Sequence, residues 1–508
     1  MFRKPSKLLQ KEKRKQKKCK GVLLIFFYEN GIPFNASKSR SYEIMVEAIG
    51  QYGSGLKPTS YHQLREPFLE DAVNVTHKLK ERHMEAWKQY GCSLMSDGWI
   101  DKRGRHLINF LINSPEGTFF LESIDVSAES HDARMLADLL EKKVEEIGKE
   151  YVVQIVTDNG ANYKAAGRLL EQRILGFFWT PCAAHCIDLM LEDIGKMNEF
   201  KPYIQKARDV TTFIYRHGRI LSAMREKTGG RDLVRPVTTQ FATTFLTLQS
   251  FNKYRNELRR LFVSDDWSDN KLSKTSKGKK VMKTILSSKF WDQVEDCLRA
   301  TLPLLIVLRI VDGDEKPAMP ELSSAMNHAK EKITESFTSN NKTRLLAKLT
   351  EIIEDRWSNQ MEVKLYGAAL FLNPSKYFEL KRSDPVFARK QRQLFNDVVE
   401  KMVKDEEFMD KISDQADDYD KMRGSFGRQL NWVDDSRDLV HEDGDLEWHH
   451  VDEAVGASSN LNNSNLRSKG VGESSGPPIV YDRRHGPSNR RLTNEDEEND
   501  EDDMNTED

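Results

Sequence analysis

Hydrophobic and polar positions are most sharply ordered just after Cys92. Ser93–Asp97 (SLMSD) reads as a strand ending in an acid, and the turn-like GWIDKRGR leads to two aromatic and β-branched runs, His106–Asn113 and Thr118–Val126. The SPEG break between those runs is a hairpin signal, so three strands joined by short turns are expected as an antiparallel meander. Within His131–Lys149, apolar residues at Met135, Leu136, Leu139, Leu140, Val144 and Ile147 follow the i, i+3, i+4 spacing of an amphipathic helix. Tyr151–Thr157 (YVVQIVT) is almost continuously apolar and is followed by Asp158, the pattern of a strand buried on both faces. A helix over Ala161–Gln172, a short strand over Phe177–Thr180 and a helix over Ala183–Met197 complete the series. The order βββ-α-β-α-β-α predicts an α/β fold, a mixed sheet flanked by helices.

Composition changes the picture at the two ends. The chain has 508 residues and only 38% hydrophobic residues, a low share for a fully globular chain of that length. Residues 1–20 carry ten Lys/Arg and one Glu, whereas residues 495–508 carry ten Asp/Glu and no base. The near-neutral total therefore hides a basic head and an acidic tail. Like charges at the head's density predict a disordered arm over residues 1–20. Lys13, Arg14, Lys15, Lys17 and Lys18 are its candidate nucleic-acid contacts or nuclear import signal, set against a merely solvated lysine-rich start. A second cluster, Arg483, Arg484, Arg490 and Arg491, is of the same kind. From about Asn431 the chain is rich in Ser, Asn, Gly and acid and cannot bury enough apolar surface to order itself, so residues 431–508 are expected as a disordered tail. No run reaches the roughly 18 apolar residues of a membrane span, and no secretory leader is expected. Five scattered cysteines suit a reduced compartment rather than a disulfide framework.

Two acids stand at corresponding places. A strand–helix–strand crossover favours parallel, right-handed pairing; if the strands before Asp97 and Asp158 are neighbours, both carboxylates sit at one sheet edge. Ligand sites of open α/β sheets favour the carboxyl ends of strands, and paired carboxylates there suit the two divalent ions of a phosphoryl-transfer site. On pattern alone the commoner role of Asp at a strand end is turn former and helix cap.

The segments GCSLMSDGWIDKRGRHLINFLINSPEGTFFLESIDVS, VVQIVTDNGANYKAAGRLL and WTPCAAHCIDLMLEDIGK resemble the plant transposase-like domain of unknown function 659, of the hAT transposase superfamily. FYENGIPFN and GSGLKPTSYHQLRE resemble the helical segment before that core, and LVRPVTTQFATTFLTLQSF, VDGDEKPAM and LYGAALFLNP resemble the helical region after it. The resemblance implies a helical segment over 21–90, a ribonuclease H-like core over 91–200 and a large all-α insertion over 201–430. It makes Asp97 and Asp158 the first two acids of a DDE triad, with Mg²⁺ or Mn²⁺ as cofactor only if that site is complete. Cys182 and His185 match the family's C-x-x-H motif. With Cys186 they make three candidate zinc ligands, one short of the four that structural zinc takes, which favours a packed Cys/His helix face over a zinc module.

Departures from the family weigh more than the matches. The family's third acid, a Glu in a C-E-R segment of the C-terminal dimerisation region, has no counterpart. MRGSFGRQL runs almost directly into NWVDDSRDLVHEDGDLEWHHVDEAV. Glu192, Asp193 or a tail acid could substitute, though no spacing argues for any of them. The BED-type zinc finger is likewise missing, since Cys19, His62, His77 and His83 include no Cys-x₂₋₄-Cys pair. Gln240 stands where the family has an Arg. The expectation is a nuclear, transposase-derived protein with an incomplete DDE site and no catalysis. Its expected partners are DNA, bound without sequence preference, or a full-length hAT relative, and no membrane. The alternative is an active metal-dependent transposase with an unrecognised third acid.

Overall fold

A computed structural model describes residues 7–235, 241–313 and 317–427. The predicted tail and Gln240 lie outside those residues. The chain divides into two compact units, one up to Arg82 and one from His83 on.

The first unit is helical: α1 (Lys7–Glu29), α2 (Arg40–Tyr52), α3 (Tyr61–Arg65) and most of α4 (Pro67–Tyr90). Local signals set the boundaries. The Ser39 hydroxyl accepts from the Tyr42 amide to start α2, and Ser60 and Gln63 form a reciprocal capping box at α3. One expectation is corrected here. Residues 7–20 were expected as a disordered arm, but they form the first half of α1. The lysines, arginine, leucines and glutamines of KLLQKEKRKQKK are all strong helix formers, and their intrinsic preference outweighs the like-charge repulsion on which that expectation rested. Lys13, Arg14, Lys15, Lys17 and Lys18 therefore sit on a helix, with Lys17 and Lys18 exposed.

The second unit is built on a five-stranded mixed sheet of order β3-β2-β1-β4-β5. Its strands are β1 (Cys92–Ile100), β2 (His106–Ser114), β3 (Gly117–Asp125), β4 (Val152–Thr157) and β5 (Phe178–Pro181). The predicted meander is present, with β1, β2 and β3 pairing antiparallel, and β4 joins β1 in parallel, which meets the condition for the two acids to share an edge. The flanking helices are α5 (Ala133–Ile147), α6 (Ala161–Arg173) and α7 (Ala183–Lys196). Gly91 enters β1 with φ +75°, and a β-carbon there would lie 2.7 Å from Val153 Cγ2, so the approach to the sheet requires glycine. Leu94, Phe110, Ile112 and Ile155 are fully buried at the centre of the sheet's core, against Leu136, Leu140 and Leu170 from α5 and α6.

After α7 the described chain is helical: α8 (Lys201–Arg216), α9 (Gly218–Lys227), α10 (Phe241–Lys253), α11 (Arg255–Leu261), α12 (Asp265–Ser268), α13 (Ser276–Leu286) and α14 (Ser288–Asp312). It continues with α15 (Met319–Ser339), α16 (Thr343–Arg356), α17 (Lys364–Phe371), α18 (Pro374–Ser383), α19 (Pro385–Met402) and α20 (Glu406–Asp420). Helix α7 joins sheet to helices. Its Cys186, Ile187, Met190 and Leu191 are buried in a core shared with Phe245, Trp291 and Leu302. The last helices fold back onto β5, where Phe178 packs in a cluster with Phe371, Tyr377 and Tyr419. Among the described residues no helix is long and apolar enough to cross a membrane.

Candidate functional site

The site begins with strand register. The last parallel pair between β1 and β4 is Ser96↔Thr157. Asp97 and Asp158 are each the next residue, so both carboxylates emerge at the same rim of the sheet, side by side in sequence register. The expectation that Asp97 ends its strand is corrected: β1 continues to Ile100, and Asp97 pairs with Asn109 of β2. The strand parts from β4 after Ser96 while its antiparallel ladder with β2 runs on. Asp97 is thus held by a ladder on one side and faces the rim on the other, a firmer mount than a turn.

Tyr163, in the first turn of α6, lies across this rim. A β-carbon on Gly98 would come 3.0 Å from the Tyr163 hydroxyl, so Gly98 makes room for the ring. The phenol is pushed up to about 12, first by burial and then by the negative charges of Asp158 and Asp97, with Ser96 opposing. It therefore stays protonated over the whole physiological range, a donor placed among acceptors.

Cys182 caps the start of α7, and its amide donates to the Thr157 carbonyl at 2.7 Å. That bond ties the C-x-x-H segment to the residue before Asp158. Burial raises the Cys182 thiol, as do the carboxylates of Asp158 and Asp97, while the amides of His185 and Ala184 partly offset the rise. Both acids and Cys182 thus share one electrostatic neighbourhood. Cys186, a turn further on, is fully buried and pushed up to about 12 by that burial. Among the described residues no group of three or more His, Cys, Asp or Glu is arranged to hold a metal ion.

Of the substitutes considered for a third acid, the two described ones are engaged elsewhere, and the tail acids lie outside the described residues. Asp193 accepts from Arg356 at 2.6 and 2.8 Å, and Glu192 pairs with Lys196 at 2.7 Å. Two oxygen-donor carboxylates suit a hard cation such as Mg²⁺ or Mn²⁺, but the described donors do not amount to a two-ion cage.

Sequence reasoning missed the groups that brace this rim. Asn159, directly after Asp158, is 8% exposed. Its side-chain nitrogen donates to Gln360 Oε1 at 2.5 Å, and Arg356 Nη1 reaches the same oxygen at 3.4 Å. Gln360 lies in a π-helical turn, Trp357–Met361, that continues α16. Such turns often mark functional positions, but nothing in the sequence links position 360 to position 159. On the other side, Trp179 Nε1 donates to Thr157 Oγ1 at 3.0 Å. Trp179 itself lies so close to α6 that a β-carbon on Gly167 would fall 2.3 Å from its ring.

No curated protein matches the chain. Residues 59–210, which include Asp97, Asp158, Cys182 and His185, match the family model described as Domain of unknown function (DUF659), a domain found in transposase-related proteins.

Proposed function

We propose that the chain is a transposase-derived nuclear protein of the hAT type, with a ribonuclease H-like core that has lost DNA cleavage and strand transfer. Three antiparallel strands followed by two parallel ones, reached through helices, support the core reading. The observation that carries the functional reading is the placing of Asp97 and Asp158 at one rim, each one residue past the last parallel pair, without a third described acid that completes a metal-binding group with them. A two-ion mechanism stabilises both the attacking and the leaving oxygen, and misplacement by about 1 Å already costs roughly 10²-fold. Two acids alone leave each ion short of ligands. The protein acts instead through DNA backbone contacts without sequence preference, including those of Lys13, Arg14, Lys15, Lys17 and Lys18, or through a full-length hAT relative.

A supercoiled-plasmid nicking and strand-transfer assay with Mg²⁺ or Mn²⁺ tests the reading. The expected result is no nicking above background, unchanged in Asp97→Asn and Asp158→Asn. Metal-dependent nicking abolished by either substitution would establish the alternative, an active transposase whose third acid lies outside the described residues.

A further inference from the structure

The acid rim is not the only place where charge is concentrated. From Lys271 to Lys289 the chain carries seven lysines and no acid, and all seven are exposed. Lys280 pairs with Asp209 of α8 at 3.4 Å. The other six have no carboxylate partner among the described residues. So dense a set of unneutralised ammonium groups raises the local positive potential and is relieved by a polyanion.

The arrangement follows from the helix period. On α13, Ser276, Lys279, Lys280 and Lys283 fall at i, i+3, i+4 and i+7, one face of the helix. Gly278, Val281 and Ile285 form the opposite, buried face. Lys271 and Lys274 belong to the 3₁₀ turn Lys271–Lys274 just before α13. That turn is pressed against the helix: a β-carbon on Gly278 would fall 1.9 Å from the Leu272 carbonyl oxygen. Glycine at this position lets the turn that carries Lys271 and Lys274 lie directly against the first turn of α13. Asn270 and Thr275 cap the two elements through their side chains, which holds the surface rigid rather than leaving it a flexible run.

We infer that this lysine surface on the helical region binds the phosphate backbone of duplex DNA without reading its sequence. The exposed face of α13 offers only ammonium and hydroxyl groups, which suit phosphate oxygens. It presents no large apolar side chain to enter a lipid layer, as an interfacial helix does, and no aromatic anchor of the kind that dominates protein–protein contacts. The surface is distinct from the basic start of the chain, and the inference does not rest on the acid pair.

The test is fluorescence anisotropy of the full chain with a labelled 20-base-pair duplex of arbitrary sequence, in EDTA, over a salt series. The triple variant Lys274→Glu/Lys279→Glu/Lys283→Glu should weaken binding at least about tenfold and reduce the log–log salt slope by about 2 to 3. The triple Arg variant at the same positions should bind as the parent does. Lys57→Glu/Lys142→Glu/Lys404→Glu makes the same change in net charge at exposed positions elsewhere and should change affinity by less than about threefold. These lysines have no structural partner, so unchanged melting curves certify the fold. Equal losses in the two Glu triples, or none in the first, would overturn the inference. So would tighter capture of the parent by phosphatidylserine vesicles than by the duplex at equal salt. Because EDTA removes any cleavage, the result is independent of the nicking assay.

Discussion

Asn159 shows how a single residue next to a candidate acid can be decided from far away in sequence. Its amide nitrogen has one partner, Gln360, and its Oδ1 is buried without a partner among the described residues. Gln360→Ala would leave a buried amide unpaired, a penalty of about 1–3 kcal/mol. We expect a lower urea midpoint with an unchanged slope, and a larger effect than from Gln393→Ala, which removes only an exposed bond to Asp397. Equal effects would mean that Gln360 does not brace the loop. Tyr163 and Cys182 make the complementary point. Each is an ordinary side chain whose proton affinity is raised by burial and by the same two carboxylates, Asp158 and Asp97.

At the scale of elements, the rim depends on α6 lying close to β5. Gly167 allows this approach, and Trp179 then spans from α6 to Thr157 on β4. Gly167→Ala forces the indole or the helix to move, and overpacking of this kind costs about 1–3 kcal/mol. A fall in melting temperature together with a blue- or red-shifted Trp emission is the expected outcome. An unchanged melting curve would mean that the helix–sheet spacing is slack. The pattern of apolar residues foretold every strand and helix of the core to within a few residues, because each element buries one face or two and records this as a period. It did not foretell that β1 runs past Asp97. The extension is stabilised by pairing with β2, and pairing partners leave no mark on a strand's own alternation.

At the scale of the whole molecule, charge is segregated. Net positive charge is concentrated in residues 1–20 and again at 271–289, and net negative charge at 495–508. The helical conformation of residues 7–20 does not remove their capacity as an import signal, which depends on a cluster of cations. Deleting residues 1–20 should shift a fluorescently tagged protein from nucleus to cytoplasm. Undiminished nuclear accumulation would remove the arm from the localisation reading and leave Arg483, Arg484, Arg490 and Arg491 as the remaining cluster.

The sequence by itself determined the order of strands and helices of the core and the absence of Cys and His spacing for a finger among residues before Cys92; that the strands before Asp97 and Asp158 are parallel neighbours was decided by the fold. The first two are local or nearest-neighbour properties, written in periodicity, turns and motif spacing. Only the tertiary structure decided that Tyr163 and Cys182 share the field of the two acids. It alone brought Gln360 to Asn159 across 201 positions and committed Asp193 to Arg356. Those outcomes depend on which faces meet when the chain closes on itself, and contacts between distant segments leave no periodic signal in either one.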